Sequence, residues 1–397
     1  MPGALDGVRV LDLSWGIAGS LGVLLLAEQG ADVIKVEPPG GDPFRGYDGY
    51  AVWNRSRRSV TIDLKNPAGL DAFRRLAADA DVIVETFRPG VTDRLGIGFD
   101  TIHELNPRLV YCSCPAYPDG HRLAQRAGYD ALVQAVSGQQ WEQPGWRLGP
   151  IFLHMPMPSM AAMFLVPTGI LAALVAREAT GRGQHVRTSL LQGAFLYTTQ
   201  IWTHATKAPG TFWTTMSKSY PAGSHQEMIF EAANGEWVHP SIMTGLPPIK
   251  TQDEILGVPQ ASDPERYAML SVEERALITP LRQQAYLAAK RDELIPAFRE
   301  NNHAMEAIVP MGDQLGGSGE PHPQLVANGM VAEIDDPDFG ATTQVGVPIH
   351  LASTPGAIQG PRPKPGQHND EIFGDLGYSA DEIAGFTRSS AGSGASS

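Results

Sequence analysis

The chain is poor in cysteine and in charged residues. Only two of its 397 residues are cysteines, and 18% are charged. Cys112 and Cys114 form a C-x-C pair whose side chains would point to the same face of a strand, where a disulfide between them would be strained. We therefore expect reduced, buried thiols in a cytoplasmic protein. We expect no metal site, because C-x-C alone supplies too few zinc ligands.

Positive charge is also scarce, with 30 basic residues against 43 acidic ones and a net charge of -13. This balance argues against general binding to nucleic acid or to an anionic membrane. The amino terminus lacks the basic region and the apolar core of a signal peptide. The longest apolar run, from Met160 to Ala176, is short for a membrane span and contains Pro167, so we predict a buried core helix. We expect neither nucleic acid nor a membrane among the partners.

A dinucleotide-binding glycine signature is missing from the first unit of the chain. The stretch from Val8 to Arg45 predicts a strand, a helix and a second strand that ends at Glu37, where a Rossmann site has its ribose ligand. Gly16, Gly19 and Gly22 do not follow the G-x-G-x-x-G pattern, which argues against an NAD site. The alternative is that these glycines serve tight turns and close helix–strand packing.

Repeated strand–helix–strand patterns occupy the first half of the chain. Alternating apolar residues from Val60 to Leu64 predict a strand, Asn66 and Pro67 predict the start of a helix, and further strands bring the parallel set to about five. This pattern ends near Ala208, where Gly, Pro, Trp and Met become frequent. The sequence thus predicts an α/β fold with a parallel sheet, a smaller second domain and a flexible tail at 389–397.

A basic cluster stands out in this acidic chain. Arg55, Arg57, Arg58 and Lys65 surround the start of the second strand–helix–strand unit. One interpretation is a solvated, charged surface. The other is a site for a phosphate-rich ligand, because the cluster precedes a strand beside the first predicted crevice.

The ordered segments of the chain resemble the family III CoA-transferases. This group includes formyl-CoA and carnitine CoA-transferases and, as a close branch, alpha-methylacyl-CoA racemase. The similarity runs from about Leu5 to Ile383, and the number and order of the matching segments make it specific. The main segments are LDGVRVLDLS, GADVIKVEPPGGDPFR, RRSVTIDLKNPAG, ADVIVETFRPGVTDRLGIG, GYDALVQAVSG and GILAALVAREATGRGQHV.

This resemblance implies a Rossmann-like large domain with a parallel sheet, a smaller α+β domain and an interlocked dimer of two threaded subunits. It places residues 1–207 and 331–388 in the large, CoA-binding domain and 208–330 in the small domain with its linkers. Coenzyme A or an acyl-CoA is the implied substrate, together with a carboxylic acid. The dimer would contain either two copies of the chain or one copy and a homologous, Asp-bearing subunit.

The resemblance also implies where CoA is bound, at the carboxyl ends of the first strands. Pro38 stands where several members have an arginine, so we expect a different contact with the nucleotide end. The residues that we assign to CoA binding are Ala18, Arg57, Asp63, Leu64, Lys65, Thr86, Phe87, Arg88, Arg94 and Asp130.

The catalytic carboxylate that the resemblance implies is missing. The transferases use an Asp just before the apolar helix to attack the acyl thioester, forming a mixed anhydride and then an enzyme–CoA thioester. Ten positions before Gly169 of GILAAL this chain has Ser159, and no Asp or Glu lies between Glu142 and Glu178. An acyl-serine ester is lower in energy than a thioester, and no G-x-S-x-G elbow surrounds Ser159, so a serine nucleophile is disfavoured.

The racemase branch is implied to use a His and an Asp as paired acid and base, and the matching positions here are Tyr129 and Ser159. Asp130 matches the acid that follows the His, but one carboxylate alone cannot supply a two-base proton transfer. His154 lies near Ser159 in sequence, although a lone His beside an apolar helix is more often structural. The catalytic candidates are therefore Ser159, Tyr129 and His154.

Three hypotheses for the function follow from these residues. The chain is the non-catalytic subunit of a hetero-oligomeric CoA-transferase, or a homodimeric racemase-like, isomerase-like or diverged transferase enzyme, or a CoA-binding protein without catalysis. We favour the first. Met155, Met157, Met160 and Met163 are compatible with a roomy apolar acyl pocket or with ordinary core packing.

Overall fold

The structure is a computed structural model that describes residues 2–142, 150–197, 229–240, 252–258, 272–317 and 319–387. These residues fall into two compact units. Unit 1 comprises Met1–Gln139, Phe152–Thr199 and Pro321–Ser397, and unit 2 comprises Gln140–Ile151 and Gln200–Glu320. The predicted domain boundary at 207 and the predicted tail at 389–397 lie outside the described residues.

A parallel sheet forms the centre of unit 1. Its strands are β1 (Arg9–Asp12), β2 (Asp32–Glu37), β3 (Arg58–Thr61), β4 (Val82–Glu85), β5 (Val110–Ser113) and β6 (His185–Arg187). The six strands lie in the order β3-β2-β1-β4-β5-β6, and every neighbouring pair is parallel. This order reverses between β1 and β4, which leaves a crevice at the carboxyl ends of these two strands. The predicted α/β fold with a Rossmann-like parallel sheet is confirmed.

Helices follow the strands of the sheet along the chain. In chain order they are α1 (Gly16–Ala27), α2 (Tyr50–Trp53), α3 (Pro67–Ala78), α4 (Val91–Arg94), α5 (Phe99–Leu105), α6 (Asp130–Ser137), α7 (Gln139–Glu142), α8 (Met157–Thr180) and α9 (Leu190–Tyr197). The predicted start of α3 is confirmed, because the Asn66 side chain accepts a hydrogen bond from the Ala68 N–H and Pro67 is the first helical residue.

Unit 2 contains a separate antiparallel sheet. Its strands are β7 (Phe230–Glu231), β8 (Trp237–Pro240) and β9 (Met305–Ile308), and its described helices are α10 (Gln252–Ile255), α11 (Val272–Ala288), α12 (Arg291–Glu300) and α13 (Met311–Gln314). The three strands pair in the order β7-β8-β9. Phe230, Tyr286 and Phe298 form the aromatic centre of its own hydrophobic core.

The carboxyl-terminal part of unit 1 begins with α14 (Pro323–Ala327) and the antiparallel hairpin of β10 (Val331–Asp336) and β11 (Gly340–Val345). It ends with α15 (Asn369–Asp375) and α16 (Ala380–Thr387). A capping box is present at the start of α16, where Ser379 and Glu382 share hydrogen bonds.

Neighbouring strand residues point alternately into two hydrophobic cores, one on each face of the sheet. On β1, Leu11 belongs to the core formed with α3, α5, α15 and α16, whereas Val10 belongs to the core formed with α1 and α8. A parallel sheet is stable with both faces covered in this way. Cys112 and Cys114 both lie in the second core as free, buried thiols, which confirms the prediction for this pair.

The glycines of the first unit serve close packing, as the alternative to an NAD signature proposed. A Cβ added at Gly22 would lie 2.9 Å from Val166 Cβ of α8, and one added at Gly19 would lie 2.3 Å from Ser14 Cβ. Gly16 has a φ of +76° at the start of α1, a conformation that L side chains rarely adopt. These positions therefore require glycine for the fold itself.

Helix α8 is a core helix of unit 1. By length and hydropathy it is the one helix among the described residues that matches a membrane span. Val166, Ile170 and Ala173 are buried against the sheet side, which confirms the predicted core helix. Its other side exposes large apolar residues, including Phe164 and Val175.

Candidate binding cavity at the carboxyl edge of the sheet

A cavity of about 1050 Å³ lies in unit 1 at the carboxyl ends of five adjacent strands, β3, β2, β1, β4 and β5. This volume is at the upper end of the usual range for a ligand pocket, about 300–1,000 Å³. The residues that line it lie at the end of β2, in the segments that follow the five strands, and in or next to α4 and the starts of α1, α6, α8 and α9. A crevice at this edge of an open parallel sheet is where such folds bind ligands.

Ten of the residues predicted for the site line this cavity. They come from three loop segments and from the first turns of α1, α6 and α8, so only the fold brings them together. They are Ala18, Asp63, Leu64, Lys65, Thr86, Phe87, Arg88, Tyr129, Asp130 and Ser159.

Arg57 is not among the lining residues, although the sequence assigned it to CoA binding. Its guanidinium is buried and donates to Asp12 Oδ2 at 2.5 Å and to Asn54 Oδ1 at 3.0 Å. It also donates to the carbonyl oxygens of Ser20 at 3.1 Å and Trp53 at 2.6 Å. Arg57 is therefore committed to joining β1, α1 and α2 within the fold.

The other arginines of the basic cluster also form internal ion pairs. Arg55 is buried and pairs with Glu28 at 2.6 Å. Arg58 pairs with Asp32 at 2.7 Å on the neighbouring strand and with Glu371 at 2.6 Å. Of the four clustered residues, Lys65 alone lines the cavity. Three of the four basic residues predicted to bind phosphate thus form ion pairs with carboxylates of the same chain.

Two further predicted residues lie outside the cavity wall. Arg94 is exposed at the end of α4, one helical turn after the lining residue Val91. His154 is exposed, and its ring packs edge-on to Phe152 with centroids 6.5 Å apart. The methionines near α8 also do not line the cavity, so the suggested methionine-rich acyl pocket is not what the structure shows.

Ser159 and Asp130 form a pair at one end of the cavity. Ser159 lies in the first turn of α8 and is 3% exposed. Its backbone N–H donates to Asp130 Oδ1 at 2.8 Å, and its hydroxyl donates to Asp130 Oδ2 at 2.7 Å. Asp130 is itself in the first turn of α6. A carboxylate at two helix amino termini is stabilised by both helix dipoles, so it acts as a cap for α8.

Trp15, Thr86 and Phe87 join the middle of the cavity wall, and the sequence did not single out Trp15. The Trp15 backbone N–H donates to Thr86 Oγ1 at 2.8 Å, and that hydroxyl donates back to the Trp15 carbonyl oxygen at 3.1 Å. The Trp15 and Phe87 rings meet edge to face with centroids 5.1 Å apart. These contacts link the loops after β1 and β4.

Glu37 lies at the cavity but its carboxylate is occupied. Arg45 donates to both of its oxygens, from Nε at 2.7 Å and from Nη2 at 2.5 Å. The Ser59 hydroxyl donates at 2.7 Å, and the Asp42 N–H donates at 2.8 Å. Burial alone would raise the pKa of Glu37, but these partners, above all Arg45, hold it below its ordinary value. A ribose therefore meets no available acceptor here, which agrees with the absence of an NAD signature.

A buried carboxyl lies directly beneath the loop of Thr86, Phe87 and Arg88. Glu85 ends β4, and its Oε2 accepts the Phe87 N–H at 2.7 Å. Burial raises the pKa of Glu85 to about 7, opposed by hydrogen bonds from Ser113 and from the Phe87 N–H. The Ser113 hydroxyl is also 2.9 Å from His185 Nε2. Protonation of the buried Glu85 carboxyl therefore acts directly on its hydrogen bond with Phe87 in the cavity wall.

Comparisons with known proteins agree with this fold. The family model described as CoA-transferase family III matches residues 5–369. The succinyl-CoA–D-citramalate CoA-transferase of Chloroflexus aurantiacus is 30% identical over 96% of this chain and 96% of its own length. The formyl-CoA:oxalate CoA-transferase of Streptomyces coelicolor is 30% identical over 96% of this chain and 97% of its own. A CAIB/BAIF family protein from Brucella suis superposes with a TM-score of 0.77 at 25% identity, covering 95% of this chain and 100% of that one.

The sheet order and the cavity at its carboxyl edge define an α/β protein of the Rossmann-like, ligand-binding class. Within that class, the family match over nearly the whole chain is decisive. The chain belongs to CoA-transferase family III.

Proposed function

We propose that this chain is the acyl-CoA-binding, non-catalytic subunit of a hetero-oligomeric CoA-transferase that acts on an acyl-CoA and a carboxylic acid. The observation that carries this proposal is the state of Ser159. The family resemblance implies a nucleophilic Asp at this position, and the Ser159 hydroxyl donates a hydrogen bond to Asp130. Both oxygens of Asp130 accept hydrogen bonds from the first turn of α8, which supports a capping role for this pair in place of a nucleophilic one.

The remaining catalytic candidates support the same proposal. His154 lies outside the cavity wall, so it does not supply a base to Ser159. Tyr129 lines the cavity and is 62% exposed. A tyrosine hydroxyl is a poor base at neutral pH, so Tyr129 alone cannot replace the histidine of a racemase.

The reaction requires a carboxylate, which the proposal assigns to a homologous partner subunit. That carboxylate attacks the thioester carbonyl, the C–S bond breaks, and CoA leaves as the thiolate. The thiolate then attacks the partner's carbonyl carbon in the mixed anhydride, which releases the first carboxylic acid and leaves an enzyme–CoA thioester. The second carboxylic acid reverses both steps and leaves as the new acyl-CoA.

The outer side of α8 supports a paired subunit. Phe164 is 55% exposed and Val175 is 74% exposed, and Leu171 lies between them on the same helix. Large exposed apolar residues grouped on one helix are typical of an interface. We propose that this side of α8 contacts the second subunit of an interlocked dimer. The free, buried thiols of Cys112 and Cys114 support a reducing, cytoplasmic location.

The test is purification from the natural host with a tag on this chain, followed by mass analysis. The expected result is a homologue in equal amount, with an Asp before its own apolar helix. The complex should transfer CoA between acids. Asp→Asn in the partner should abolish that transfer, whereas Ser159→Ala should lower it by less than about threefold.

Two other outcomes would replace the proposal. A pure homodimer that turns over acyl-CoA, and that Ser159→Ala or Tyr129→Phe slows by far more than tenfold, would establish a diverged enzyme. A chain that binds CoA but shows no turnover in any pairing would be a CoA-binding protein without chemistry.

A further inference from the structure

A buried carboxyl group lies directly behind the cavity wall. Glu85 is 4% exposed at the end of β4, and within the described part of the chain no lysine, arginine or histidine forms an ion pair with it. It accepts a hydrogen bond from the Phe87 N–H at 2.7 Å and another from the Ser113 hydroxyl. A glutamine would make both contacts without burying a charge. What the carboxyl adds at this position is the ability to change its charge.

The segment that Glu85 contacts forms the middle of the cavity wall. All three residues of this wall segment, 86–88, line the cavity. The Thr86 hydroxyl attaches one end of it to the backbone of Trp15. The backbone of Phe87, the next residue, is held by Glu85. The strength of the hydrogen bond between Glu85 and Phe87 therefore determines how firmly the wall segment is held.

Ser113 and His185 continue the hydrogen bonds from Glu85 toward the edge of the sheet. Ser113 Oγ is 2.9 Å from Nε2 of His185, which is half-buried on the edge strand β6. When Glu85 is ionised, the Ser113 hydroxyl donates to it and accepts from His185 Nε2–H. When Glu85 is protonated, it donates to Ser113, which donates to Nε2 of the other neutral tautomer. Ser113 and His185 are satisfied in both states, so the change in charge acts on the Phe87 N–H.

Five other titratable groups lie near Glu85. They come from α4, from β5 and the residue after it, and from β6: Asp93, Tyr111, Cys112, Cys114 and His185. Burial raises the pKa of Cys114 to about 12, raises the pKa values of Cys112 and Tyr111, and lowers the pKa of His185 to about 4. These four groups are uncharged at neutral pH. Burial raises the pKa of Glu85 to about 7, against its two hydrogen bonds, and the exposed Asp93 raises it further. Glu85 is therefore the buried group of this set that changes charge near pH 7.

The charge of Glu85 controls the strength of its contact with Phe87. A hydrogen bond to an ionised carboxylate is about twice as strong as one between neutral groups. Protonation therefore weakens the hold on the wall segment and lowers the fraction of molecules that have the observed wall. A ligand that requires this wall binds more weakly by the same factor. Binding then favours the ionised carboxylate and releases a proton.

We propose that Glu85 is a positioning residue for CoA binding, whose ionised carboxylate holds the wall segment in the conformation that binds CoA. The affinity for CoA therefore rises as Glu85 loses its proton. This inference rests on the proposed function, since it requires CoA in this cavity. It adds a pH dependence to that function through a residue that does not itself line the cavity.

The experiment is calorimetry between pH 6 and pH 8 on the full-length chain, in the oligomer in which it purifies. The probe is dephospho-CoA, because it lacks the 3′-phosphate, a group whose own pKa is about 6. We expect the wild-type affinity to rise about three- to fivefold over this interval. Glu85→Gln keeps both hydrogen bonds without the charge. Its affinity should vary by less than about twofold and, at pH 8, should be about three- to tenfold weaker than that of the wild type.

Glu104→Gln is the matched control, because Glu104 is exposed on α5 and lies outside the cavity wall. It should keep the wild-type pH profile. A second measurement needs no variant. At pH 7, calorimetry in buffers of different ionisation enthalpy should show that the wild type releases about 0.3–0.4 proton per ligand bound.

The outcomes separate the inference from the proposed function. The same pH profile in Glu85→Gln and the wild type overturns the inference alone. Proton uptake by the wild type, or no exchange of protons, also overturns it, because the ionised carboxylate would then not favour binding. Absence of binding of both CoA and dephospho-CoA to the wild-type chain at every pH refutes the proposed function itself.

Discussion

Ser159 is bound to Asp130 through both of its hydrogen-bond donors, its backbone N–H at 2.8 Å and its hydroxyl at 2.7 Å. The contact joins the first turn of α8 to the first turn of α6, two helices that are separated by 19 residues in the sequence between Ser137 and Met157. One carboxylate therefore fixes the geometry of the cavity end where the acyl group is proposed to lie.

Replacing Asp130 should destabilise this end of unit 1. Asp130→Asn keeps one acceptor oxygen but removes the negative charge at the amino terminus of α8, so we expect a loss of about 0.5–2 kcal/mol in the free energy of unfolding. Urea denaturation measures it. Ser159→Ala removes one hydrogen bond only and should cost less. Equal stability of Asp130→Asn and the wild type would contradict the capping role.

Ser159→Asp should supply the nucleophile that the proposal says is missing. We expect the isolated chain to gain slow acyl-CoA turnover or a covalent CoA adduct, seen by thiol release and by mass analysis. Ser159→Asn has the same size without the nucleophile and should gain nothing. The new carboxylate would face Asp130, so Ser159→Asp should also be less stable than Ser159→Asn at pH 7. Equal turnover in the wild type would show that this chain already has a nucleophile.

Lys65 and Arg88 should supply positive charge to the phosphates of CoA. Lys65→Ala and Arg88→Ala should each weaken CoA binding about tenfold at low salt, and the difference should shrink as salt screens the contact. Titration calorimetry at two ionic strengths measures both effects. Arg75→Ala carries the same charge change on an exposed part of α3 and should bind CoA normally. An equal loss in Arg75→Ala would mean that net charge, rather than contact, controls affinity.

Arg57 should matter for stability. Arg57→Ala removes the closest cation from the buried Asp12 carboxylate. We therefore expect the free energy of unfolding to fall by about 3–5 kcal/mol. The comparison is Arg58→Ala, whose partly exposed ion pairs should contribute about 1 kcal/mol or less. A stable Arg57→Ala variant that binds CoA weakly would restore the role that the sequence suggested for Arg57.

Glu85 should make stability depend on pH. Its pKa is about 7 in the fold against an ordinary value of 4.5, so the folded chain binds the proton more tightly than the unfolded chain. Wild-type stability is therefore favoured at low pH and falls as pH rises from about 4.5 to 7. Glu85→Gln has no titrating carboxyl at this position. As pH rises through this interval, its free energy of unfolding should therefore increase by up to about 3 kcal/mol relative to that of the wild type. Parallel stability curves for the two proteins would rule this out.

The sheet, and the edge of it at which a cavity should lie, could be predicted from the sequence because they depend on local patterns. Apolar strands and helix starts such as Asn66–Pro67 are encoded by neighbouring residues, and a parallel sheet brings its loops to one edge. Arg57 shows the limit of such reasoning. Its buried partner Asp12 lies 45 positions earlier, so the sequence showed a basic cluster but not the ion pair that neutralises it.

Two aromatic residues that line the cavity, Phe44 and Tyr47, were missed for a related reason. Phe44 and Tyr47 lie in a loop rich in glycine and proline, and no periodicity marks them as lining residues. Their position depends on Asp42 and its buried partner Lys35, which is a tertiary contact between charged side chains. The signal that could have found them was the presence of two aromatics in the loop that follows the predicted strand end at Glu37.

The cavity extends across the carboxyl ends of strands that belong to one hydrogen-bonded sheet, so the regular spacing of these strands sets the separation of the loops that line it. The sheet therefore provides a constant framework for the loops that line the cavity. Substitutions in the loop after β5 or in the first turn of α8 can change the shape of the cavity near Ser159, while the loops after the other strands keep their contacts with a bound ligand. Under the proposed function, such substitutions would change which acyl group is accepted during evolution, and the loops that bind the CoA portion would stay the same.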